Sequence, residues 1–325
     1  MRLIAGIGAL LIAALAGHGV PAAERIPGTG FVIHEIRDEF DRRIRFYTDE
    51  HRDRPLALIV QGSGCTPLFR RSADGRVRAG LPALLTSAAR GRLGILAVEK
   101  PGVVAFAAGP MHGNTEGCAP EFLAEHTLER RVAALRAALD AALRDGNHPA
   151  RPLLAIGHSE GAAAVARLAR LDARISHVAL LSGNGPSPLD DLIASARSRA
   201  TSGELESDTA ARIQAQAEAI FADPESIERL AWGHPFRRWS SFLRGSTLDD
   251  LRASGAEIHL VHGSVDAVVP IEGFEALVAG LAASGHRARI VRIAGGDHGL
   301  NAPGQRSPQG MLPALVAILD WATGS

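Results

Sequence analysis

The sequence is poor in several residue types. Two of its 325 residues are cysteine, one is lysine and 4% are aromatic, and its 35 basic residues balance 35 acidic ones. A formal net charge of zero argues against nucleic acid as the main partner, because that role needs clustered cationic surface. With 46% hydrophobic and 22% charged residues, the composition is that of a globular protein with a sizeable core, and it excludes collagen-like, coiled-coil and multi-span membrane classes.

An apolar run begins the chain. It covers residues 3–16 after Met1 and Arg2, and small residues follow before charge returns at Glu24. This order predicts a secretory signal peptide over residues 1–23, cleaved after Ala22 or Ala23, because a membrane span needs about 20 apolar residues. An uncleaved anchor is the alternative. We therefore expect a periplasmic or secreted protein with no stable membrane insertion after cleavage.

Cys65 and Cys118 form an even number of cysteines in a chain predicted to be exported, which favours a disulfide between them. Two unpaired buried cysteines are the alternative. Their wide separation lacks the paired short spacing of zinc motifs, and no His-Glu-x-x-His pattern occurs. No metal site and no cofactor are predicted.

Short apolar runs alternate with segments of helical periodicity, which predicts an α/β fold with a mostly parallel eight-stranded sheet flanked by helices. The clearest helical segment runs from Glu121 to Arg144 and has one apolar face. The first two strands are expected to form a hairpin. The predicted strands are Phe31–Ile36, Arg43–Tyr47, Leu56–Gln61, Leu93–Val98, Leu153–Ile156, His177–Leu181, Ile258–His262 and Ala288–Ile293.

The pattern changes after the sixth predicted strand. Residues 187–251 are helical in character and contain no convincing strand, which predicts a helical cap inserted into a main domain of residues 24–325. An aromatic cluster lies within this segment. These rings either pack the cap onto the main domain or line an apolar substrate pocket. The cluster consists of Trp232, Phe236, Trp239 and Phe242.

The strongest local motif is Gly-His-Ser-Glu-Gly at residues 157–161, between an apolar strand and a helical segment. A nucleophile on a sharp strand-to-helix turn needs small neighbours two positions before and after it, and glycine satisfies this on both sides. The turn also puts Ser159 at a helix N-terminus, where backbone N–H groups favour developing negative charge. Ser159 is therefore the candidate nucleophile.

A serine nucleophile needs a base that is oriented by an acid. Asp266 follows the seventh predicted strand, and His298 follows the eighth between two glycines. Both lie at the sheet edge where open parallel sheets assemble their sites. A turn aspartate and a surface histidine are the alternatives. Asp297 could be mistaken for the acid, but a sequence neighbour usually points away, so Asp266 is preferred.

The order Ser159, Asp266, His298, with His-Gly-x-x-Asp-x-x-Val-Pro at 262–270 and Gly-Asp-His-Gly at 296–299, resembles the α/β-hydrolase superfamily over the whole mature chain. The resemblance implies that His298 is general base and then acid. It also implies an oxyanion hole formed by the backbone N–H groups of Ser63 and Glu160. Many relatives have histidine where this chain has Gln61.

Three functions stay open at this point. The resemblance to serine esterases and aminopeptidases implies a serine hydrolase that cleaves carboxylic esters through an acyl-enzyme, with a small-molecule substrate. A serine aminopeptidase or other peptidase is the nearest alternative, since the side chain of Glu160 could attract a substrate amine. A noncatalytic binding relative is the third hypothesis. The sequence does not indicate which substrate is used or whether the chain forms oligomers.

Overall fold

A computed structural model describes residues 24–107 and 113–324, which form a nine-stranded sheet flanked by helices. All eight predicted strands are present within one or two residues of their expected ends. The ninth, β1, is a two-residue strand at the edge. In chain order the sheet strands are β1 (Glu24–Arg25), β2 (Val32–Arg37), β3 (Arg43–Thr48), β4 (Leu56–Val60), β7 (Gly94–Val98), β8 (Leu153–His158), β9 (His177–Leu181), β12 (Glu257–Gly263) and β13 (Ala288–Ile293).

The sheet order is β1-β2-β3-β7-β4-β8-β9-β12-β13. The predicted hairpin is confirmed, because β2 and β3 pair antiparallel with Val32 opposite Thr48. From β7 to β13 every neighbouring pair is parallel. The carboxyl ends of these parallel strands therefore meet at one edge, and the loops that leave β4, β8, β12 and β13 start there.

Helices cover both faces of the sheet, and each face has its own apolar core. The helices are α1 (Leu81–Ala89), α2 (Pro120–Glu125), α3 (Leu128–Asp145), α4 (Glu160–Leu171), α5 (Pro188–Thr201), α6 (Thr209–Ala222), α7 (Phe236–Phe242), α8 (Thr247–Ala253), α9 (Ile271–Ala283) and α10 (Met311–Thr323). On one face the core includes side chains of α3, α4, α8 and α9; on the other it includes side chains of α1 and α10.

The single helix expected over Glu121–Arg144 is two helices, so that prediction was wrong in one respect. The chain leaves the helical conformation at His126 and Thr127, between α2 and α3. Thr127 has extended backbone angles, and its hydroxyl accepts a hydrogen bond from the Arg130 N–H at 3.3 Å, which is an N-cap. The break leaves His126 buried beside Glu160.

The segment between β9 and β12, here called the β9–β12 segment, contains α5 to α8. It also contains a short hairpin of β10 (Leu230–Ala231) and β11 (His234–Pro235), so the expectation of no strand here was wrong. A second unpredicted hairpin joins β5 (Phe69–Arg71) and β6 (Val77–Ala79). The division of the chain into a main domain and a cap stays a prediction.

The predicted signal peptide, residues 1–23, lies outside the described residues. Within residues 24–107 and 113–324, no helix is both long and apolar enough to cross a membrane. Cys65 and Cys118 are joined by a disulfide, as predicted, with their Cα atoms 5.7 Å apart.

Candidate functional site

Ser159 lies on a sharp turn between the end of β8 and the start of α4. Its backbone angles are φ 56° and ψ −126°, a left-handed conformation that strains any residue other than glycine. The turn is held by tertiary contacts, because the Ser159 N–H donates to the carbonyl of Leu181 on the neighbouring strand at 2.9 Å. This geometry exposes the serine at the edge of the sheet, as a nucleophile requires.

Close packing explains the glycines of the motif. A Cβ on Gly157 would lie 2.3 Å from the carbonyl oxygen of Gly161, and a Cβ on Gly161 would lie 2.3 Å from the carbonyl oxygen of Val60. Both distances are too short for real atoms, so only glycine fits. A Cβ on Gly62 would lie 3.0 Å from the Cβ of Ser159, which shows how closely the loop after β4 approaches the serine.

Asp266 and His298 are neighbours in the structure. Nδ1 of His298 lies 2.8 Å from Oδ2 of Asp266. The other oxygen of Asp266 accepts the N–H groups of Val268 and Val269 at 2.8 and 2.9 Å. Burial alone would raise the pKa of Asp266, but the His298 hydrogen bond and charge, with those two N–H groups, outweigh it and lower the pKa. Asp266 therefore stays a carboxylate that can orient the imidazole.

Asp297 has a different set of partners. Its Oδ1 accepts the N–H groups of Gly299 and Asn301, each at 2.9 Å, and the side-chain amide of Asn301 at 3.0 Å. These bonds close the turn that carries His298. Asp297 is thus a turn-forming residue, and its carboxylate makes no ion pair with the imidazole.

His298 is held from a second side by His158, the residue before the serine. Nε2 of His158 lies 3.1 Å from the carbonyl oxygen of His298, and the two ring centroids are 5.1 Å apart. Burial is the main cause that lowers the pKa of His158 to about 4, so this ring is neutral at pH 7 and donates the bond. Among the described residues, neither the Ser159 hydroxyl nor Nε2 of His298 has a hydrogen-bond partner, and such catalytic bonds often form only with substrate.

In the described chain, neither of the two expected oxyanion donors has a hydrogen-bond partner. Within residues 24–107 and 113–324, the backbone N–H groups of Ser63 and Glu160 make no hydrogen bond. Glu160 is the first residue of α4, where helical N–H groups have no partner inside the helix. The loop carrying Ser63 is fixed on both sides, since Arg131 donates to the carbonyl of Gln61 and Lys100 donates to the carbonyl of Gly64.

The side chain of Glu160 lies in a buried charge cluster that the sequence did not predict. One carboxylate oxygen accepts from Nε2 of His126 at 2.8 Å and from Arg131; the other accepts Nε and Nη2 of Arg238 at 3.1 and 2.8 Å. Burial opposes ionisation of Glu160, but its three partners hold its pKa well below the usual range. The expectation that the side chain of Glu160 could attract a substrate amine was wrong, because its carboxylate is already paired with two arginines.

One sequence signal could have revealed this cluster. Arg131 lies three residues after Leu128 and four before Leu135, so it falls on the apolar face of α3, where a charge needs a buried partner. No comparable pattern marks His126, which lies at a helix break, or Arg238, which lies in a seven-residue helix.

A cavity of about 520 Å³ adjoins Ser159. Three of the four predicted pocket aromatics, Trp232, Trp239 and Phe242, line it. Phe236 does not: it is buried in the apolar core of the β9–β12 segment, with the guanidinium of Arg229 4.4 Å from its ring centroid. Its assignment to the pocket was therefore wrong, because packing between α6 and α7 takes up its ring. Other lining residues include Ser63, Asp191, Arg199, His234, Arg238 and Val268.

In the described part of the chain, no group of three or more His, Cys, Asp or Glu side chains is arranged to hold a metal ion.

The sheet order, the flanking helices and the strained serine turn define the α/β-hydrolase fold, and comparison with solved structures confirms it. Est1E from Butyrivibrio proteoclasticus with ferulic acid bound superposes with a TM-score of 0.58 at 16% identity, over 90% of this chain and 100% of that one. A puromycin-hydrolysing peptidase from Mycobacterium tuberculosis gives 0.56 at 15% identity, over 90% of this chain and 40% of that one. This chain thus has the fold predicted from its sequence.

An acylaminoacyl peptidase from Pyrococcus horikoshii is also similar, with a TM-score of 0.57 at 13% identity over 90% of this chain. This chain covers 41% of that peptidase, so it spans less than half the length of either peptidase. No protein-family model and no curated protein matches the sequence. The solved structures whose names state an activity include these two peptidases and the esterase domain of a Rhodothermus marinus protein, and all three are hydrolases.

Proposed function

We propose that the protein is a serine hydrolase that cleaves carboxylic esters through an acyl-enzyme, with Ser159 as nucleophile, His298 as base and Asp266 as the acid that orients it. The observation that carries the proposal is the position of these groups. Ser159 lies on a strained turn after β8, and the Asp266–His298 pair, joined at 2.8 Å, follows β12 and β13, which end at the same edge of the sheet. The neutral ring of His158 and the turn that Asp297 closes both help to hold His298 in place.

The chemistry follows from these groups. The Ser159 hydroxyl oxygen attacks the ester carbonyl carbon while its proton passes to Nε2 of His298, which then becomes positively charged and is stabilised by Asp266. The negative charge on the former carbonyl oxygen is accepted by the N–H groups of Ser63 and Glu160. Collapse of the intermediate breaks the bond to the alcohol oxygen, which takes the proton from His298. Water, deprotonated by His298, then releases the carboxylic acid and restores Ser159.

Esters are preferred to peptides as substrates for a reason of charge. An aminopeptidase needs an anionic group for the free amine of its substrate, and Glu160, which the sequence suggested for this role, is neutralised by two arginines. The other acidic residue that lines the cavity in the described chain, Asp191, is a weak candidate for this role because burial raises its pKa to about 7. Peptidase activity is the second candidate function, because two of the structural neighbours are peptidases. The disulfide supports an oxidising compartment, and with the predicted signal peptide it supports a periplasmic or secreted enzyme.

The test compares matched substrates in the purified mature protein. Turnover of p-nitrophenyl butyrate that exceeds turnover of alanine p-nitroanilide, and that is lost in Ser159→Ala, supports the ester proposal. The reverse ranking, with the same dependence on Ser159, would make the protein a peptidase. Turnover of both substrates that survives Ser159→Ala would contradict the proposed nucleophile.

A further inference from the structure

The wall of the cavity beside Ser159 carries uncompensated positive charge. Arg131 and Arg238 are both buried, and both pair with the one carboxylate of Glu160. Among the described residues, no other carboxylate lies within 4 Å of either guanidinium.

His126 adds no charge to this cluster at pH 7, because its pKa is lowered to about 4, mainly by burial. Lys100 and Glu99 are buried close by, and burial moves the pKa of each to about 7 from opposite sides, so the pair adds no net charge at pH 7. At Glu160 itself, two guanidinium charges thus face one carboxylate.

Arg238 is the member of this cluster that lines the cavity. It is 6% exposed, and its Nη1 has no hydrogen-bond partner in the described part of the chain, whereas Nε and Nη2 are bound to Glu160. Its guanidinium carbon lies 3.8 Å from the Trp239 ring centroid and 4.7 Å from that of Phe242. A buried guanidinium with an unused donor is costly unless a ligand supplies an acceptor.

His234 adds a second unused polar atom to the same wall. It is 5% exposed, lines the cavity, and its Nδ1 has no partner among the described residues. Burial, and then the charge of Arg238, lower the pKa of His234 far below its usual range, so its ring stays neutral and can present an N–H. Its ring centroid lies 5.8 Å from that of Trp239, beside the ring that Arg238 covers.

The negative groups of the cavity do not balance this charge. Besides Glu160, Asp191 is the acidic residue that lines it in the described chain. Burial is the main cause that raises the pKa of Asp191 to about 7, and one of its oxygens accepts the Gly185 N–H at 2.7 Å. Arg199 also lines the cavity, but its Nε pairs with Glu204 at 3.1 Å.

We infer that the substrate carries a carboxylate, which binds Arg238 and His234 against the aromatic wall formed by Trp239 and Phe242. This inference rests on the proposed function and narrows its substrate class to esters with an anionic group. Nη1 of Arg238 and Nδ1 of His234 are buried atoms, so both side chains would have to turn slightly toward the cavity when the substrate binds. A carboxylate would then supply the acceptor that Arg238 lacks, neutralise the excess charge of the cluster and leave the apolar part of the substrate against the rings.

The test uses p-nitrophenyl esters of phenylacetic acid that differ only at the para position of the ring: carboxylate, neutral carboxamide or cationic aminomethyl. A second series puts the carboxylate or the carboxamide on the leaving group, as 4-carboxyphenyl and 4-carbamoylphenyl acetate. Rigid rings prevent the carboxylate from attacking its own ester. In one of the two series, kcat/KM should be about tenfold higher for the carboxylate ester than for the carboxamide ester. This factor is the effect expected of one hydrogen bond to a charged group.

Arg238→Gln should bring that ratio to within about twofold, and Arg238→Lys, which keeps the charge, should retain part of it. Arg244→Gln is the matched control, because Arg244 is an exposed arginine that stacks on Phe221 outside the cavity. If the wild-type protein hydrolyses charged and neutral esters equally, or prefers the cation, the inference is wrong. Equal loss of both activities in Arg238→Gln and Arg238→Lys would make Arg238 a positioning residue only and would also overturn it.

The same kinetics distinguish a wrong ester-hydrolase function from a wrong carboxylate inference. If the ester-hydrolase function is wrong, the neutral carboxamide ester is not turned over by the folded wild-type protein. If only the carboxylate inference is wrong, that neutral ester is turned over and the ratio is near one.

Discussion

Arg238 binds the carboxylate of Glu160 through two nitrogens, at 3.1 and 2.8 Å from the same oxygen. Glu160 directly follows the candidate nucleophile, and Arg238 lies on α7 of the β9–β12 segment. The contact therefore ties the start of the nucleophile helix to the segment that walls the cavity. Arg131 extends this link to the loop of Ser63 through the carbonyl of Gln61. A buried charge cluster thus connects the elements that carry Ser159, Ser63 and the cavity wall.

Glu160→Gln should reduce the free energy of unfolding by about 3–5 kcal/mol, because it leaves two buried guanidiniums without a counter-charge. Urea unfolding followed by circular dichroism measures the change. Glu204→Gln is the control: it removes an exposed partner of Arg199, and its expected effect is below about 1 kcal/mol. Equal losses in the two variants would show that the buried cluster contributes no more than a surface pair.

Asp266→Asn should lower kcat on the order of 10⁴-fold, since an amide in place of the carboxylate no longer fixes the His298 tautomer. Asp297→Asn should leave kcat of the folded protein within about tenfold of wild type and instead lower the melting temperature, because Asp297 closes a turn. Steady-state ester kinetics together with thermal unfolding separate the two effects. The opposite pattern would make Asp297 the catalytic acid.

Replacement of both cysteines by serine should destabilise the protein by about 4 kcal/mol, the loop-closure value for a sequence separation of 53 residues. Because Cys65 ends the loop that carries Ser63, kcat should also fall by more than KM rises. Guanidinium unfolding and ester kinetics measure the two quantities. Unchanged kcat in the double variant would show that the disulfide does not position the oxyanion loop.

Stability should also depend on pH through His259, a fully buried residue of β12 whose two ring nitrogens have no partner in the described chain. Burial is the main cause that lowers its pKa from 6.5 to about 4. Between these values the unfolded chain binds a proton that the folded protein does not. The free energy of unfolding should therefore fall as pH drops from about 6.5 to 4, by up to about 1.4 kcal/mol per pH unit for this group.

His259→Phe keeps a ring beside Trp321, whose centroid is 5.1 Å away, and removes the titration. Unfolding by urea at half-unit pH steps should give a shallower acid slope for the variant, with a constant difference from wild type above pH 7. Parallel curves throughout would mean that His259 is not neutral in the folded protein.

The sheet was predictable from sequence because strands such as Leu56–Val60 and the part of β8 from Leu153 to Ile156 are buried on both faces, which requires an unbroken run of apolar residues. The serine turn was predictable because Gly157 and Gly161 answer a steric demand that no other residue meets. The two-residue strands of the β10–β11 hairpin were not, since they are too short to show a period.

The functions of single polar side chains were harder to predict. Glu160 was expected at the site for its backbone N–H, but the fate of its carboxylate depends on Arg131 and Arg238, which are 29 and 78 residues away in the chain. Phe236 and Phe242 belong to the same aromatic cluster, yet only Phe242 lines the cavity. Which face of a short helix meets the cavity is decided by tertiary packing, and local sequence does not record it.

The most direct test of this account is the site of modification by a fluorophosphonate probe. Treatment of the folded mature protein, followed by proteolysis and mass spectrometry, should give one adduct, on Ser159, and none in Ser159→Ala; His298→Ala should slow the modification at least about a hundredfold. An adduct on another residue, or folded wild-type protein that hydrolyses esters and yet never reacts at Ser159, would contradict the central claim.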